Sequence, residues 1–157
     1  MEPAVVHSTF VIEESYPYPA ERLFAAFADP EKKRRWFAAE SENHGVEQYA
    51  MDFRVGGAER TSYRFRPGSP FPGASLTTEG VIQDIVPNQR VVTASTMSLG
   101  DRRISSSLVT VEFIPKELGT DLVLTYQGAF YEGSGGPKMR EEGWRKLLCQ
   151  LSAELSK

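Results

Sequence analysis

The sequence is poor in the residues that most often carry covalent or metal chemistry. It has one cysteine, Cys149, and two histidines, His7 and His44. A single thiol excludes an internal disulfide, and the two histidines lack the close spacing of zinc ligands. His44 falls in the polar loop Ala39–Gly45, where we expect a solvated side chain. We therefore predict no metal, no cofactor and no catalytic residue set, in a protein suited to the reducing cytoplasm.

The chain also lacks a strong excess of charge and a long apolar run. Its formal net charge at pH 7 is −3, so we expect no broad positive surface for a nucleic acid. The densest basic run, Lys32–Arg35, is interpreted as the solvated end of a short helix. No stretch approaches the roughly 20 apolar residues of a spanning helix, and the first residues, Met1–Ser8, do not read as a secretory leader. Nucleic-acid binding and membrane insertion are therefore not expected.

What the chain has in quantity is strand-sized segments rich in β-branched and aromatic residues, several with alternating apolar and polar positions. Such segments, separated by turn residues, predict about seven antiparallel strands joined mainly by hairpins. Gly56-Gly57 and the loop Pro67–Gly73 are examples of these turns. The predicted strands are Val5–Ile12, Tyr49–Val55, Thr61–Phe65, Ser75–Val86, Val91–Met97, Ile104–Ile114 and Leu122–Phe130.

Three other segments favour helices. Pro19 suits the first turn of a short helix, and Asp29 is a plausible N-cap of a second one that ends at Trp36-Phe37. The final segment predicts a long amphipathic helix, in which Cys149 is expected to lie buried as a small hydrophobe. Its apolar positions are Trp144, Leu147, Leu148, Leu151 and Leu155. No repeat or linker divides the chain, so we predict a single domain over residues 1–157.

The order of these elements predicts a pocket. Sheet and helix must share one core, because neither can leave its apolar face in water. A twisted sheet curls, and a helix laid over its concave face touches the rim more closely than the floor. Among the expected ligand-binding residues, Arg54 could form a structural ion pair or anchor an acidic ligand. The residues predicted to bind a ligand are Trp36, Tyr49, Met51, Phe53, Arg54, Tyr63, Phe65, Val81, Met97, Tyr126, Trp144 and Leu148.

Three stretches together resemble the SRPBCC (START-like) superfamily. They are Pro19–Phe27 (PAERLFAAF) with Trp36, Asp52–Gly57 (DFRVGG) and Gly143–Leu148 (GWRKLL). The Arg-x-Gly-Gly turn and the late Glu-Gly-Trp resemble the branch related to activators of the heat-shock protein 90 ATPase. The resemblance implies an α+β helix-grip fold: a curved antiparallel sheet around a long C-terminal helix, two short helices after the first strand, and a deep cavity.

The resemblance leaves three functions open, because relatives include lipid carriers, hormone receptors and polyketide cyclases. The first is non-enzymatic binding of a small, largely apolar or aromatic ligand. The second is a cyclase-like or dehydratase-like enzyme that uses acid/base side chains in the cavity. The third is a chaperone accessory, although the sequence lacks the additional chaperone-binding domain expected of a full eukaryotic-type activator. Both a monomer and a homodimer remain open.

Overall fold

The computed structural model describes residues 4–157, which form seven strands and three helices. All seven strands belong to one antiparallel sheet, in the order β1-β7-β6-β5-β4-β3-β2. The predicted α+β helix-grip fold is confirmed. The elements are β1 (Val6–Tyr16), α1 (Ala20–Ala28), α2 (Pro30–Phe37), β2 (His44–Met51), β3 (Ala58–Phe65), β4 (Ser75–Val86), β5 (Arg90–Leu99), β6 (Arg102–Lys116), β7 (Gly119–Phe130) and α3 (Gly136–Leu155).

The three helices contact one another as well as the sheet, so they lie on one face of it. β1 and β2 lie at opposite edges, and α1 and α2 carry the chain between them. From β2 to β7 each strand pairs with the next one along the chain, as expected for successive hairpins. β7 then pairs with β1, and α3 follows it.

Local sequence signals explain where the first elements begin and end. β1 ends at Tyr16, directly before Pro17, which has no N–H to donate to a neighbouring strand. The predicted N-cap of α2 is confirmed: the Asp29 Oδ1 atom accepts hydrogen bonds from the backbone N–H groups of Glu31 (2.9 Å) and Lys32 (3.3 Å). These bonds satisfy two N–H groups that have no partner within the helix.

The second strand differs from its prediction. We expected a strand over Tyr49–Val55, but β2 ends at Met51. The chain turns directly after it, and the backbone N–H of Asp52 donates to the carbonyl of Ala58 at 2.8 Å. A Cβ atom on Gly57 would lie 1.9 Å from the Asp52 carbonyl oxygen, so this close turn requires glycine. The turn overrides the alternation that continues through the sequence.

The long helix α3 packs against α1, α2, β1 and β7. We call this region, together with the C-terminal part of β6, the packed half. The Tyr16 hydroxyl joins its layers by donating a 3.0 Å hydrogen bond to the Leu148 carbonyl of α3. Within residues 4–157, no helix has the length and apolar character that a membrane crossing requires. The buried residues of the packed half include Phe10, Ile12, Leu23, Phe27, Trp36, Val111, Phe113, Leu122, Leu124, Leu151 and Leu155.

The other part of the sheet, which we call the hollow half, consists of β3, β4, β5 and the N-terminal part of β6. Strand register aligns its inward positions in rows, such as Thr61, Thr78 and Met97 on β3, β4 and β5. The central positions of these rows carry small residues, which leave space under the helix. These small residues are Thr61, Thr78, Gly80, Ser95 and Ser107.

Candidate ligand cavity

A cavity of about 650 Å³ lies between the hollow half and the N-terminal part of α3. Ligand sites are typically about 300–1,000 Å³, so its volume suits a small organic molecule. Strands β3 to β7 form the floor, and α3 forms the roof. Floor residues are Tyr63, Leu76, Met97, Leu99 and Tyr126; roof residues are Met139, Gly143, Trp144 and Leu147.

Five of the residues predicted to bind a ligand line this cavity: Tyr63, Phe65, Met97, Tyr126 and Trp144. The four strand residues occupy inward positions, as the period-two pattern predicted. Tyr126 is 2% exposed and stacks on Phe10 at 4.8 Å between ring centroids. It therefore belongs both to the cavity wall and to the edge of the packed half.

Trp36 and Leu148 lie in the packed half instead of the cavity. Trp36 is 1% exposed, and its indole Nε1–H donates to the Ala26 carbonyl at 2.9 Å. Leu148 is also buried, on the side of α3 that meets β1. Both side chains pack within the hydrophobic core and therefore do not face the open space.

Val81 lies on the outer face of the sheet. It is 45% exposed, whereas its neighbours Gly80 and Ile82 are buried. Alternation therefore places the even-numbered positions from Leu76 to Ile82 inward, before the register shift between Ile82 and Asp84. Because Gly80 has no side chain, the sequence pattern does not reveal which positions of this strand face the cavity.

Four more of the predicted residues lie outside the cavity wall: Tyr49 and Met51 of β2, and Phe53 and Arg54 of the turn after it. Phe53 packs edge-to-face on Phe24, with ring centroids 5.7 Å apart. Arg54 is exposed and forms a 2.6 Å ion pair with Asp52, so it has the structural pairing that was one of its two interpretations. Met51, at the end of β2, contacts the Tyr49 hydroxyl through its sulfur at 3.6 Å.

A smaller chamber of about 60 Å³ adjoins the cavity and shares the walls Thr61 and Trp144 with it. Its charged residues are Lys33 and Glu59, whose Nζ and Oε2 atoms are 2.7 Å apart, with both side chains 11% exposed. The Tyr49 hydroxyl donates to the same Glu59 oxygen at 2.8 Å. The interpretation of the basic run as fully solvated is therefore wrong at Lys33, which is buried and paired.

This charged cluster shifts the acidity of nearby tyrosines. Burial raises the pKa of Tyr49 well above its usual range, and the Glu59 carboxylate raises it further. Burial, with the same carboxylate, raises the pKa of Tyr63 to about 12. The Tyr63 hydroxyl donates to the Phe37 carbonyl at 2.7 Å. Because Glu59 is neutralised by Lys33 and hydrogen-bonded by Tyr49, the cluster has the form of a structural pair.

His44 lies at the mouth of the cavity, which corrects its expected solvated position. It is the first residue of β2, and its ring centroid is 4.4 Å from that of Tyr63. Its Nε2 atom lies 3.2 Å from the Ala39 carbonyl and its Nδ1 atom 3.0 Å from the Ser41 hydroxyl. A carbonyl can only accept, so Nε2–H donates; in the neutral ring Nδ1 then accepts from serine. Both nitrogens thus serve to hold the loop.

Arg140 on α3 is a cavity residue that the sequence analysis missed. Its Nη2 donates to the Ser105 hydroxyl at 2.9 Å, and its Nη1 donates to the Tyr126 hydroxyl. The signal was present in the sequence, because Arg140 stands four and seven residues before Trp144 and Leu147. This spacing places all three on one helix face.

Cys149 is exposed, so its predicted burial is wrong. The buried positions of α3 are Leu148, Leu151 and Leu155, and Cys149 stands one residue, or about 100° around the helix, beyond the first of them. Within residues 4–157, no three His, Cys, Asp or Glu side chains form a group that could hold a metal ion.

The fold and cavity geometry define an α+β helix-grip protein of the SRPBCC type. The profile of the family described as "Activator of Hsp90 ATPase homolog 1-like protein" matches residues 17–156. The chain belongs to this family. A comparison with curated proteins finds no match.

Solved structures similar to this chain include two from rhizobia. An uncharacterised protein from Rhizobium leguminosarum is 37% identical, with a TM-score of 0.89 over 97% of this chain and 96% of its own. The Mll3558 protein from Rhizobium loti is 42% identical, with a TM-score of 0.86 over 97% and 99%. An AHSA1-like protein from Aeromonas hydrophila, 21% identical, shares the fold with a TM-score of 0.67 over 95% and 92%.

Proposed function

We propose that the protein binds a small, largely apolar or aromatic molecule in the cavity beneath α3 and releases it unchanged. The observation that carries this proposal is the space of about 650 Å³ between helix and sheet. Its walls include Leu76, Met97 and Leu99, whose apolar surface faces the cavity instead of a packed neighbour. A ligand that covers this surface removes it from water, which favours binding.

The small residues of the floor support the proposal. Ser95 and Ser107 hydrogen-bond to each other at 3.0 Å on neighbouring strands, so their hydroxyl groups are satisfied without a ligand. The floor therefore keeps open space without leaving these polar groups unpaired. A bound apolar molecule would rest on these short side chains and against the aromatic ring of Tyr63.

Two tryptophan substitutions on β4 test the proposal. Thr78→Trp would place a large side chain in the cavity, whereas Val81→Trp adds the same side chain to the outer face. We expect 1-naphthol and related aromatic compounds to raise the Tm of the wild type and of Val81→Trp. Binding should weaken at least about tenfold in Thr78→Trp. No stabilisation of the wild type by any aromatic compound of the panel, or equal binding by both variants, would contradict the proposal.

The geometry does not extend this proposal to catalysis. Among the residues that line the two chambers, Glu59 is the carboxylate that faces the interior. It is already ion-paired with Lys33 and accepts a hydrogen bond from Tyr49. A general base must reach a proton of the substrate, and a chamber of about 60 Å³ has room for a few water molecules at most.

Association with a chaperone is a second candidate, supported by the family description alone. A pull-down with the heat-shock protein 90 homologue of the host, followed by an ATPase assay, tests it. Stimulation of the ATPase by the wild type and by Thr78→Trp alike would support a chaperone role separate from the cavity. No capture and no stimulation would reject this role.

A further inference from the structure

We propose that the ligand is an acid, and that Arg140 binds its carboxylate while the apolar body lies over the hollow half. This inference rests on the proposed function and names the ligand class. Arg140 stands in the first two turns of α3 and lines the cavity. Among residues 4–157, no carboxylate lies within ion-pair distance of its guanidinium group.

The hydrogen bonds of Arg140 leave room for a carboxylate. Two of its five N–H donors are used, one by Ser105 and one by Tyr126. Three donors remain, in the planar fork that binds a carboxylate with two parallel hydrogen bonds. The ring faces of Tyr126 and Phe130, with centroids 5.7 and 5.3 Å from the Cζ atom, hold the guanidinium group in place.

One of the two hydroxyl partners of Arg140, that of Tyr126, offers the ligand a further donor. Ser105 and Tyr126 are 1% and 2% exposed and accept hydrogen bonds from Arg140. Within the described residues 4–157, neither hydroxyl donates its own proton to another group. Of the two residues, Tyr126 lines the cavity. A buried donor without an acceptor is costly, and a carboxylate oxygen at Arg140 would supply an acceptor for the Tyr126 hydroxyl.

The surrounding charges favour an anion at this end of the cavity. α3 has no acidic residue in its first turn, so the positive end of the helix dipole is not neutralised locally. Among the described residues, Glu42 is the one acidic residue that lines this cavity, and its side chain is exposed at the rim.

The second buried cation is not available for the ligand. Lys33 is paired with Glu59 in the small chamber, whose walls include Val111. Arg140 contacts β6 at Ser105, which lies six residues before Val111 on this strand, or about 20 Å along it at about 3.3 Å per residue. Lys146 also lines the cavity but is exposed to solvent, so Arg140 is the half-buried cation left for the acid group. The apolar body of the ligand should then extend toward Met97 and Leu76.

A matched pair of ligands tests this orientation without any substitution. 1-Naphthaleneacetate and 1-naphthaleneacetamide have the same apolar body and differ in charge. We expect the wild type to bind the acid about 10–100-fold more tightly than the amide, the range for a hydrogen-bonded ion pair. Equal affinity would reject the anchor and leave the proposed cavity binding intact. No binding of either compound, or of neutral aromatic compounds, would reject both.

Substitutions on α3 then assign the preference to one residue. Arg140→Gln should remove the preference for the acid, and Arg140→Lys should keep part of it, because an ammonium group has charge without the fork. Arg145→Gln is the matched control, since Arg145 is exposed on the same helix and paired with Glu141 at 2.9 Å. It should leave the preference unchanged. Retention of the full preference in Arg140→Gln, with or without a lower Tm, would overturn the proposal.

Discussion

The packed half and the hollow half belong to one sheet but fill their inward positions with side chains of different size. In the packed half, Leu122 and Leu124 are fully buried beneath the helices. In the hollow half, Thr78 and Ser95 occupy inward positions and face open space. One helix serves both regions, because α3 buries Leu151 on one side and presents Trp144 to the cavity on the other.

Stability and ligand binding therefore depend on different regions of this fold. Burial and close packing stabilise a filled region, whereas an unfilled region leaves apolar surface that another molecule can cover. Substitutions in the packed half should therefore change mainly the free energy of unfolding. Substitutions in the hollow half should change mainly ligand affinity.

We expect the largest difference in the free energy of unfolding between truncations of two strand leucines, one in each half. Leu124→Ala should lower the free energy of unfolding by about 2–5 kcal/mol, because the residue is fully buried and truncation leaves a void. Leu76→Ala should cost less than about 1 kcal/mol, because its side chain already borders a cavity. Urea unfolding of both variants measures the difference. Similar costs would contradict the division of the sheet into two regions.

The next effect concerns the buried pair of Lys33 and Glu59. Lys33→Met leaves a carboxylate without its cation and should cost about 2 kcal/mol, below the usual range for fully buried pairs because both side chains are 11% exposed. Adding Glu59→Gln should recover most of this loss. Arg90→Met, which breaks an exposed pair with Asp84, should cost less than about 1 kcal/mol. Equal losses of stability in Lys33→Met and Arg90→Met would mean that Lys33 is solvated, and would contradict this prediction.

A smaller effect should appear at high pH. The pKa of Tyr63 is about 12 in the folded protein, whereas an unfolded tyrosine has a pKa of about 10. Above pH 10 the unfolded chain loses this proton first, so the stabilisation present below pH 10 is lost as pH rises to 12. The slope contributed by Tyr63 should approach about 1.4 kcal/mol per pH unit.

Denaturation curves between pH 9 and pH 11.5 measure this slope, with Tyr63→Phe as the comparison. The variant should be less stable at neutral pH by about 1 kcal/mol, through loss of the hydrogen bond to Phe37, but should show a shallower decline. Parallel curves for the two proteins would mean that the Tyr63 hydroxyl is not protected from solvent.

The smallest effect is expected at Cys149. Because this thiol is exposed, iodoacetamide should alkylate the native protein, and Cys149→Ser should change the free energy of unfolding by less than about 0.5 kcal/mol. Mass spectrometry of the native and urea-unfolded protein compares the two alkylation rates. Protection of the native thiol would place Cys149 in the packed half.

Much of the fold could be predicted from the sequence, because short-range signals determine it. Asp29 caps α2, and alternation identifies most strands, although β1 extends to Tyr16, four residues past its predicted end at Ile12. The charged pairs of the interior could not be predicted in this way. Lys33 and Glu59 are 26 residues apart, and only tertiary packing brings them together, because α2 contacts β2, the strand that pairs with β3.

The cavity residues show the same limit. Inward strand positions such as Tyr63 and Met97 follow from alternation once one inward residue is known. Val81 could not be assigned, because Gly80 gives no signal for the orientation of the strand. Arg140 follows the helical spacing of Trp144, but its charge suggests a solvent-exposed position unless its neighbours on β6 and β7 are known.

Ligand binding beneath α3 can be tested by a methyl-resolved NMR titration of the wild type with 1-naphthaleneacetate. We expect chemical-shift changes at Leu76, Met97 and Leu99, which line the cavity, and much smaller changes at Leu122 and Leu124 of the packed half. Saturating ligand with no change at the three cavity residues, or with the largest changes in the packed half, would contradict binding beneath α3.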